Sequence, residues 1–188
     1  MHSLLKDMAT IRSGRLFRGK IEPDPHGHYQ LIQIGDIDVD RKLSYKDLTR
    51  ISLPDIKRSQ LVQKGDVLFI SRGMRKHAVA ITEELNNVIT TSQIFILRPD
   101  EMLLPEYLAW YLNQLPAQRY LEEHSSGTNV SLINMDAFGK LPIRTPKLDI
   151  QQKIVQIYEL SVRERELTEL ILQKRCALIE MSLLAAIE

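Results

Sequence analysis

The distribution of apolar and polar positions divides the chain near residue 147. Ahead of that point, short apolar runs alternate with segments that carry Gly and Pro. Residues 29–39 alternate as a strand, with Ile32 and Ile34 on one face and Ile37 and Val39 out of phase, so Gly35 at the change of phase predicts a bulge. Lys64-Gly65-Asp66 reads as a turn feeding a buried strand, Val67 to Ile70, and strands are predicted over 78–82, 88–89 and 93–97. Leu5 to Ile11 is only weakly apolar, Ser13-Gly14 marks a turn, and Pro23-Asp24-Pro25 with Gly27 makes a loop. Pro105 and Pro116 each suit the first turn of a helix, where a missing N–H costs nothing, which predicts helices to about Gln114 and His124. A polar loop, Ser125 to Asn129, follows, then a short helix capped by Asn134 and a strand from Leu141 to Ile143.

Beyond Pro146 the chain has no Pro or Gly. Asp149 is a candidate N-cap, with Gln152 placed as in a capping box. Ile150, Ile154, Ile157, Leu160, Leu167, Ile171, Leu178, Met181 and Leu184 then fall near a helical period, interrupted by charge at Arg163–Glu166. One helix from Asp149 to Ala186 would be about 55 Å long at about 1.5 Å per residue. A small domain cannot cover that length, so the stripe is expected to meet another long helix, as in a coiled coil. The expected architecture is α+β: a mixed strand and helix domain over 1–147, and one long coiled-coil-like helix over 148–188.

The chain has 188 residues, 44% of them hydrophobic and 26% charged, enough to bury a real core. No apolar run is long enough to span a bilayer, and residues 1–10 show no signal-peptide pattern, so a cytoplasmic location without membrane contact is expected. The single cysteine, Cys176, falls in the helical pattern and is read as a packed or half-buried thiol rather than a nucleophile. Net charge is +1, so bulk electrostatics do not call for nucleic acid; the distribution of charge matters more. Lys6, Arg12, Arg15, Arg18 and Lys20 face only Asp7 in the first twenty residues, and Arg72, Arg75 and Lys76 form a second basic cluster beside Gly73. Such clusters beside Gly suit a phosphate-contacting surface.

Catalytic patterns find little support. Asp36, Asp38, Asp40 and Asp47 imitate the spacing of a calcium loop, but Arg41 stands where that loop needs Gly, so they read as a turn or solvent face. His26 and His28 have no further ligands at metal-site spacing. There is no phosphate loop, no nucleophile elbow, no Gly-rich methyltransferase cofactor loop and no nuclease carboxylate cluster with Lys. Trp110 and Tyr111, at helical spacing with Tyr107 and Leu108, read as a core face rather than a base-stacking platform, and Leu112 is expected in the core with them.

The order of motifs carries a resemblance. Ile11-Arg12-Ser13-Gly14, Ile32-Gln33-Ile34-Gly35-Asp36-Ile37 and Lys64-Gly65-Asp66-Val67-Leu68-Phe69-Ile70-Ser71-Arg72-Gly73 are followed by 92–99, 107–112, Gly127-Thr128, Leu141-Pro142-Ile143, Pro146 and Gln151-Gln152-Lys153-Ile154. In that order they resemble the specificity (S) subunits of type I restriction–modification enzymes across nearly the whole chain. The resemblance implies target recognition domains, each followed by a long helix, that direct partner modification subunits to a bipartite DNA site. Those partners methylate adenine at N6 and bind the S-adenosylmethionine, so this chain is expected to hold no cofactor and no metal. Expected partners are double-stranded DNA, the methyltransferase subunits and a restriction subunit.

With one recognition domain and one helix, the chain resembles half of such a subunit: a short form that dimerises, which the Met start favours, or a fragment. The expected DNA surface consists of Arg12, Ser13, Arg15, Arg18 and Lys20; Arg72, Arg75, Lys76 and His77; and Ser125, Ser126, Thr128 and Asn129. Arg suits guanine or phosphate, and Asn suits adenine. Two alternatives remain open at this point: an anti-restriction module that binds methyltransferase subunits without reading DNA, and a metal-dependent nuclease.

Overall fold

The computed structural model describes residues 2–38, 40–54, 56–73, 76–127 and 131–187. Two compact units are distinguished, Met1–Gln151 and Gln152–Glu188. In chain order the first carries β1 (His2–Leu4), α1 (Leu5–Met8), β2 (Ala9–Ser13), β3 (Tyr29–Ile32), β4 (Thr49–Ile51), β5 (Val67–Ile70), β6 (Ala78–Ala80), β7 (Val88–Thr90) and β8 (Ile94–Pro99). Then come α2 (Pro105–Leu112), α3 (Leu115–Glu123), β9 (Ser125–Ser126), β10 (Leu132–Ile133), α4 (Met135–Gly139) and β11 (Pro142–Arg144). The last element, α5 (Leu148–Ala185), begins in the first unit and makes up nearly all of the second. The architecture is thus mixed strand and helix with a long C-terminal helix, as expected.

Two sheets sandwich the main core. An antiparallel sheet runs β2-β8-β5-β6, and a smaller one runs β4-β3-β7, with β3 and β7 parallel. The period of two along a strand divides the side chains between faces. Leu68 and Ile70 of β5 join Ile94 and Ile96 of β8 on one face, where they pack with Ile32 of β3 and Val88 of β7. Phe69 of β5 and Phe95 of β8 take the opposite face, where Phe138 of α4 stacks on Phe69 at 4.4 Å between ring centres. The outer face of the small sheet buries Tyr29, Leu31, Ile51 and Ile89 under Phe17, Ile21 and Leu53.

Polar side chains fix the joints. Asp66 is fully buried; Arg98 donates to its two carboxylate oxygens at 2.7 and 2.8 Å, and the Gln63 amide adds a bond at 2.9 Å. This is the predicted turn before β5, with Gly65 at φ +87° supplying the left-handed residue. Asn113 ties β6 to α2 through both the N–H and the C=O of Ala78. Gln151, also fully buried, accepts from the Leu104 amide and donates to the carbonyls of Met102 and Pro146.

Several expectations are corrected. Gly35 lies in a short 3-10 turn, Ile34–Asp36, and not in a bulge, because β3 ends at Ile32 and the Asp36 carboxylate accepts from the Gln33 amide at 2.7 Å. Val39 lies outside the described residues. Ser13-Gly14 is no turn: β2 runs straight through Ser13, and the next residues pair with β7 and the segment after it. Ser125 and Ser126, expected in a loop, form β9 against β10. Asp149 sits inside the first turn of α5 rather than at its cap. Cys176 is exposed. Trp110 is only half-buried, while Leu108 and Leu112 are fully buried. Among the described residues no helix is long and apolar enough to cross a membrane.

Candidate nucleic-acid interface

Backbone pairing draws together three segments that lie far apart in sequence. Arg15 bridges to Thr91, with Arg15 N–H donating to Thr90 O at 2.8 Å and Ser92 N–H donating to Arg15 O at 2.8 Å. Ser71 N–H donates to Gln93 O at 2.9 Å, which places Arg72 at the end of β5 beside the same segment. Arg72 then bridges to Leu132 of β10, Gly73 N–H donates to Ser131 O at 2.8 Å, and Leu132 pairs with Ser126 of β9. A continuous hydrogen-bonded edge therefore runs from Arg15 through Thr91–Gln93 and Ser71–Arg72 to Ser126.

A cleft of about 440 Å³ opens on this edge. Its polar walls are Arg15, Arg72, Gln33, Thr91, Ser92 and Gln93, and its apolar wall includes Leu16, Phe17 and Ile21. No carboxylate lines it among the described residues. The side chains of Arg15, Arg72 and Gln93 have no hydrogen-bond or ion-pair partner among the described residues, whereas Gln33 donates to the Thr49 hydroxyl at 3.3 Å. Two guanidinium groups and one amide thus line an open cleft with no partner for their donors among the described residues. That chemistry suits an anionic or hydrogen-bonding ligand such as a phosphate or a base edge.

The loop after β2 supplies this wall by alternation. Phe17 and Ile21 pack inward on the small sheet, while Arg18 and Lys20 are exposed between them. Gly14 makes the approach possible, because a Cβ there would lie 2.2 Å from both the Thr90 hydroxyl and the Thr91 carbonyl.

Other residues expected at the surface have different roles. Arg12 is half-buried: its Nη1 donates to Ser59 O, and its Nε and Nη2 are buried without a partner among the described residues. Burial, and then the neighbouring Arg98 cation, lower the affinity of its guanidinium for a proton, against the pull of Asp66. Ser13 donates to Ser92 O at 3.2 Å. Lys76 is only 6% exposed, and its ammonium donates to Ser131 Oγ at 2.7 Å, so it braces β10 from within and is not a free surface cation. Burial lowers its pKa. His77 is half-buried, with its backbone carbonyl accepting from Ile70. Ser125 donates to Leu121 O, and Ser126 is exposed on β9. Arg75, Thr128 and Asn129 lie outside the described residues.

Sequence reasoning passed over Gln33 and Gln93 as readers. Both stand within the runs that carry the family resemblance, and the available signal was a polar amide at the end of an otherwise apolar strand pattern.

Comparison with known proteins gives one family. The description "Type I restriction modification DNA specificity domain" matches residues 2–174. No curated protein matches the chain. Among solved structures, the type I restriction-modification S subunit from M. genitalium is similar with a TM-score of 0.58 at 15% identity, over 85% of this chain and 38% of that one. The HsdS subunit from Thermoanaerobacter tengcongensis is similar at 0.64 and 17%, over 87% and 37%. A chain from a structure on assembly and conformational transition of the type I R-M system is similar at 0.61 and 18%, over 87% and 38%. This chain therefore spans less than two fifths of each of those chains, and the likeness to them is one of fold.

Proposed function

Since the chain belongs to the type I restriction modification DNA specificity domain family, we propose that it reads sequence in double-stranded DNA for partner methyltransferase subunits and performs no chemistry of its own. The observation that carries this reading is the cleft between Arg15 and Arg72, where, among the described residues, two arginines without acidic partners and the free amide of Gln93 share one open wall that no carboxylate lines. Arginine pairs with the O6 and N7 of guanine or with phosphate, and glutamine pairs with the N6 and N7 of adenine in the major groove. Arg18, Lys20 and Ser126 extend the surface on either side as phosphate contacts, which orient the duplex without reading it.

On this reading residues 1–147 recognise DNA, and residues 148–188 pair with a second copy and dock the modification subunits. The S-adenosylmethionine and the methyl transfer belong to those subunits, and a restriction subunit completes the assembly. The exposed apolar residues of α5, among them Ile157, Leu160, Ile171, Leu178 and Met181, supply the pairing surface. Two identical readers related by a two-fold axis require a bipartite palindromic site. The test is reconstitution with modification subunits and labelled S-adenosylmethionine. Methylation of DNA only when both this chain and the subunits are present is expected; methylation by the chain alone, or none in the assembled complex on any DNA, contradicts the proposal.

A further inference from the structure

α5 is one uninterrupted helix from Leu148 to Ala185, so its heptad positions can be assigned. Ile150, Ile157, Glu164, Ile171, Leu178 and Ala185 occupy one core position (a), seven residues apart. Lys153, Leu160, Leu167, Lys174 and Met181 occupy the other (d). The apolar members from Ile157 to Met181 are 42–70% exposed. Two charges interrupt this seam between its ends, Glu164 at an a position and Lys174 at a d position, and neither has an ion-pair partner among the described residues.

We infer that α5 pairs with α5 of a second copy in one antiparallel register, fixed by an ion pair between Glu164 of each copy and Lys174 of the other. The inference rests on the dimer proposed above and adds its direction and register. A parallel in-register pair faces like positions: Glu164 meets Glu164, Lys174 meets Lys174 and Lys153 meets Lys153, which buries three like-charge contacts. An antiparallel pair faces a positions with d positions. When Leu167 faces Ile171, Leu160 faces Leu178, Ile157 faces Met181, and Glu164 faces Lys174. A shift of one heptad in either direction sets Glu164 against Leu167 or Met181, and Lys174 against Ile157 or Ile171. Each of those leaves a desolvated charge without a partner, which is costly, whereas a polar core residue that finds its partner selects the register. The two-fold axis makes every contact twice, as a self-complementary interface requires. Lys153 faces Ala185 at the end of the seam, where its long side chain can reach water.

The register also sets a distance. Gln152 of one copy lies level with Ala186 of the other, so the two Gln152 residues stand roughly 50 Å apart at about 1.5 Å per residue. That is the rise of roughly fifteen base pairs.

Single-cysteine cross-linking of the full chain, with Cys176→Ala as background, tests the direction. Leu160→Cys and Leu178→Cys proteins should each remain uncrosslinked on mild oxidation and form a disulfide-linked dimer when mixed. Charge exchange tests the register. Glu164→Lys and Lys174→Glu should each raise the dimer dissociation constant roughly tenfold or more, and the double variant should recover most of the loss. Circular dichroism checks that each variant keeps its helix. A monomer at micromolar concentration overturns the dimer and the register together. A stable dimer that crosslinks through Leu160→Cys alone, or whose charge-exchanged form fails to recover, overturns the register and leaves the dimer standing.

Discussion

Replacing Gly14 with Ala tests whether the loop carrying Arg15 is held where the cleft needs it. The added Cβ would lie 2.2 Å from the Thr91 carbonyl oxygen, 2.2 Å from Thr90 Oγ1 and 2.6 Å from the Thr90 carbonyl oxygen, against ordinary contact at 3.4 Å or more. Two of the three are backbone atoms, so relief requires parting the end of β2 from the end of β7 by about 1 Å, on the order of the overlap. Such a movement stretches the bonds from Arg15 N–H to Thr90 O and from Ser92 N–H to Arg15 O, each 2.8 Å long. Overpacking costs about 1–3 kcal/mol and each of the two weakened bonds about 1 kcal/mol, so a total of about 3–5 kcal/mol is expected. For a chain of this size that lowers Tm by roughly 6–20 °C. Gly35 lines the same cleft, and a Cβ there meets nothing within 4 Å, so Gly35→Ala is the control. Thermal unfolding and DNA affinity of the assembled complex should both fall for Gly14→Ala and stay near wild type for Gly35→Ala. Equal behaviour of the two variants would refute the argument that this close approach positions Arg15.

Further expectations concern the cleft and its supports. Arg15→Gln and Arg72→Gln should each weaken specific DNA binding by about 1–3 kcal/mol, roughly 5- to 150-fold, measured by fluorescence anisotropy. A phosphate-contacting arginine lowers the salt slope by about one unit on all sequences and a base reader relaxes one position of the site, so unchanged binding in both variants removes the cleft from the interface. Asp66→Ala strands Arg98 and the Gln63 amide and should cost about 2–4 kcal/mol in urea unfolding, less than a wholly buried pair because Arg98 keeps some access to water. A loss below about 0.5 kcal/mol, the range of ordinary surface changes, would contradict that role. Tyr107 is 2% exposed, and burial, with a smaller push from Tyr111, raises its phenol to about 12 against the opposing Arg144. The stability tied to its neutral form is therefore full below the ordinary value of 10.0 and is lost as pH rises toward about 12; phenolate absorbance should lose one late-titrating component in Tyr107→Phe.

What the sequence made legible follows from where the information lay. The strands β5 and β8 and the turn at Gly65-Asp66 were readable because a continuous apolar run follows a turn tripeptide. Asn134 was readable as a cap because its side chain performs a local task, accepting from the Ala137 amide at 2.8 Å. The long helix was readable from a period sustained without Gly or Pro. By contrast, β1 is three residues long and pairs with β11 near the other end of the domain, and nothing in His2–Leu4 records that partner. Ser125 and Ser126 join a sheet through backbone groups alone, so their side chains spelled a loop. The basic residues were legible as clusters, but their roles were not. Lys76 is buried against Ser131, fifty-five positions away, and Arg12 is committed to Ser59, while Arg15 and Arg72 have no side-chain partner among the described residues. Gln93 joins the cleft only because the end of β2, the start of β8 and the end of β5 converge there.

The most direct test of sequence reading by a two-fold dimer is selection from random double-stranded DNA by the complex of this chain with its modification subunits, with no other specificity chain present. The account predicts enrichment of one bipartite palindrome, two inverted identical half-sites around a fixed unread spacer, with the preference at one base lost in Arg15→Gln or Arg72→Gln if that arginine reads a base. Enrichment of no motif, or of an asymmetric one, would contradict it.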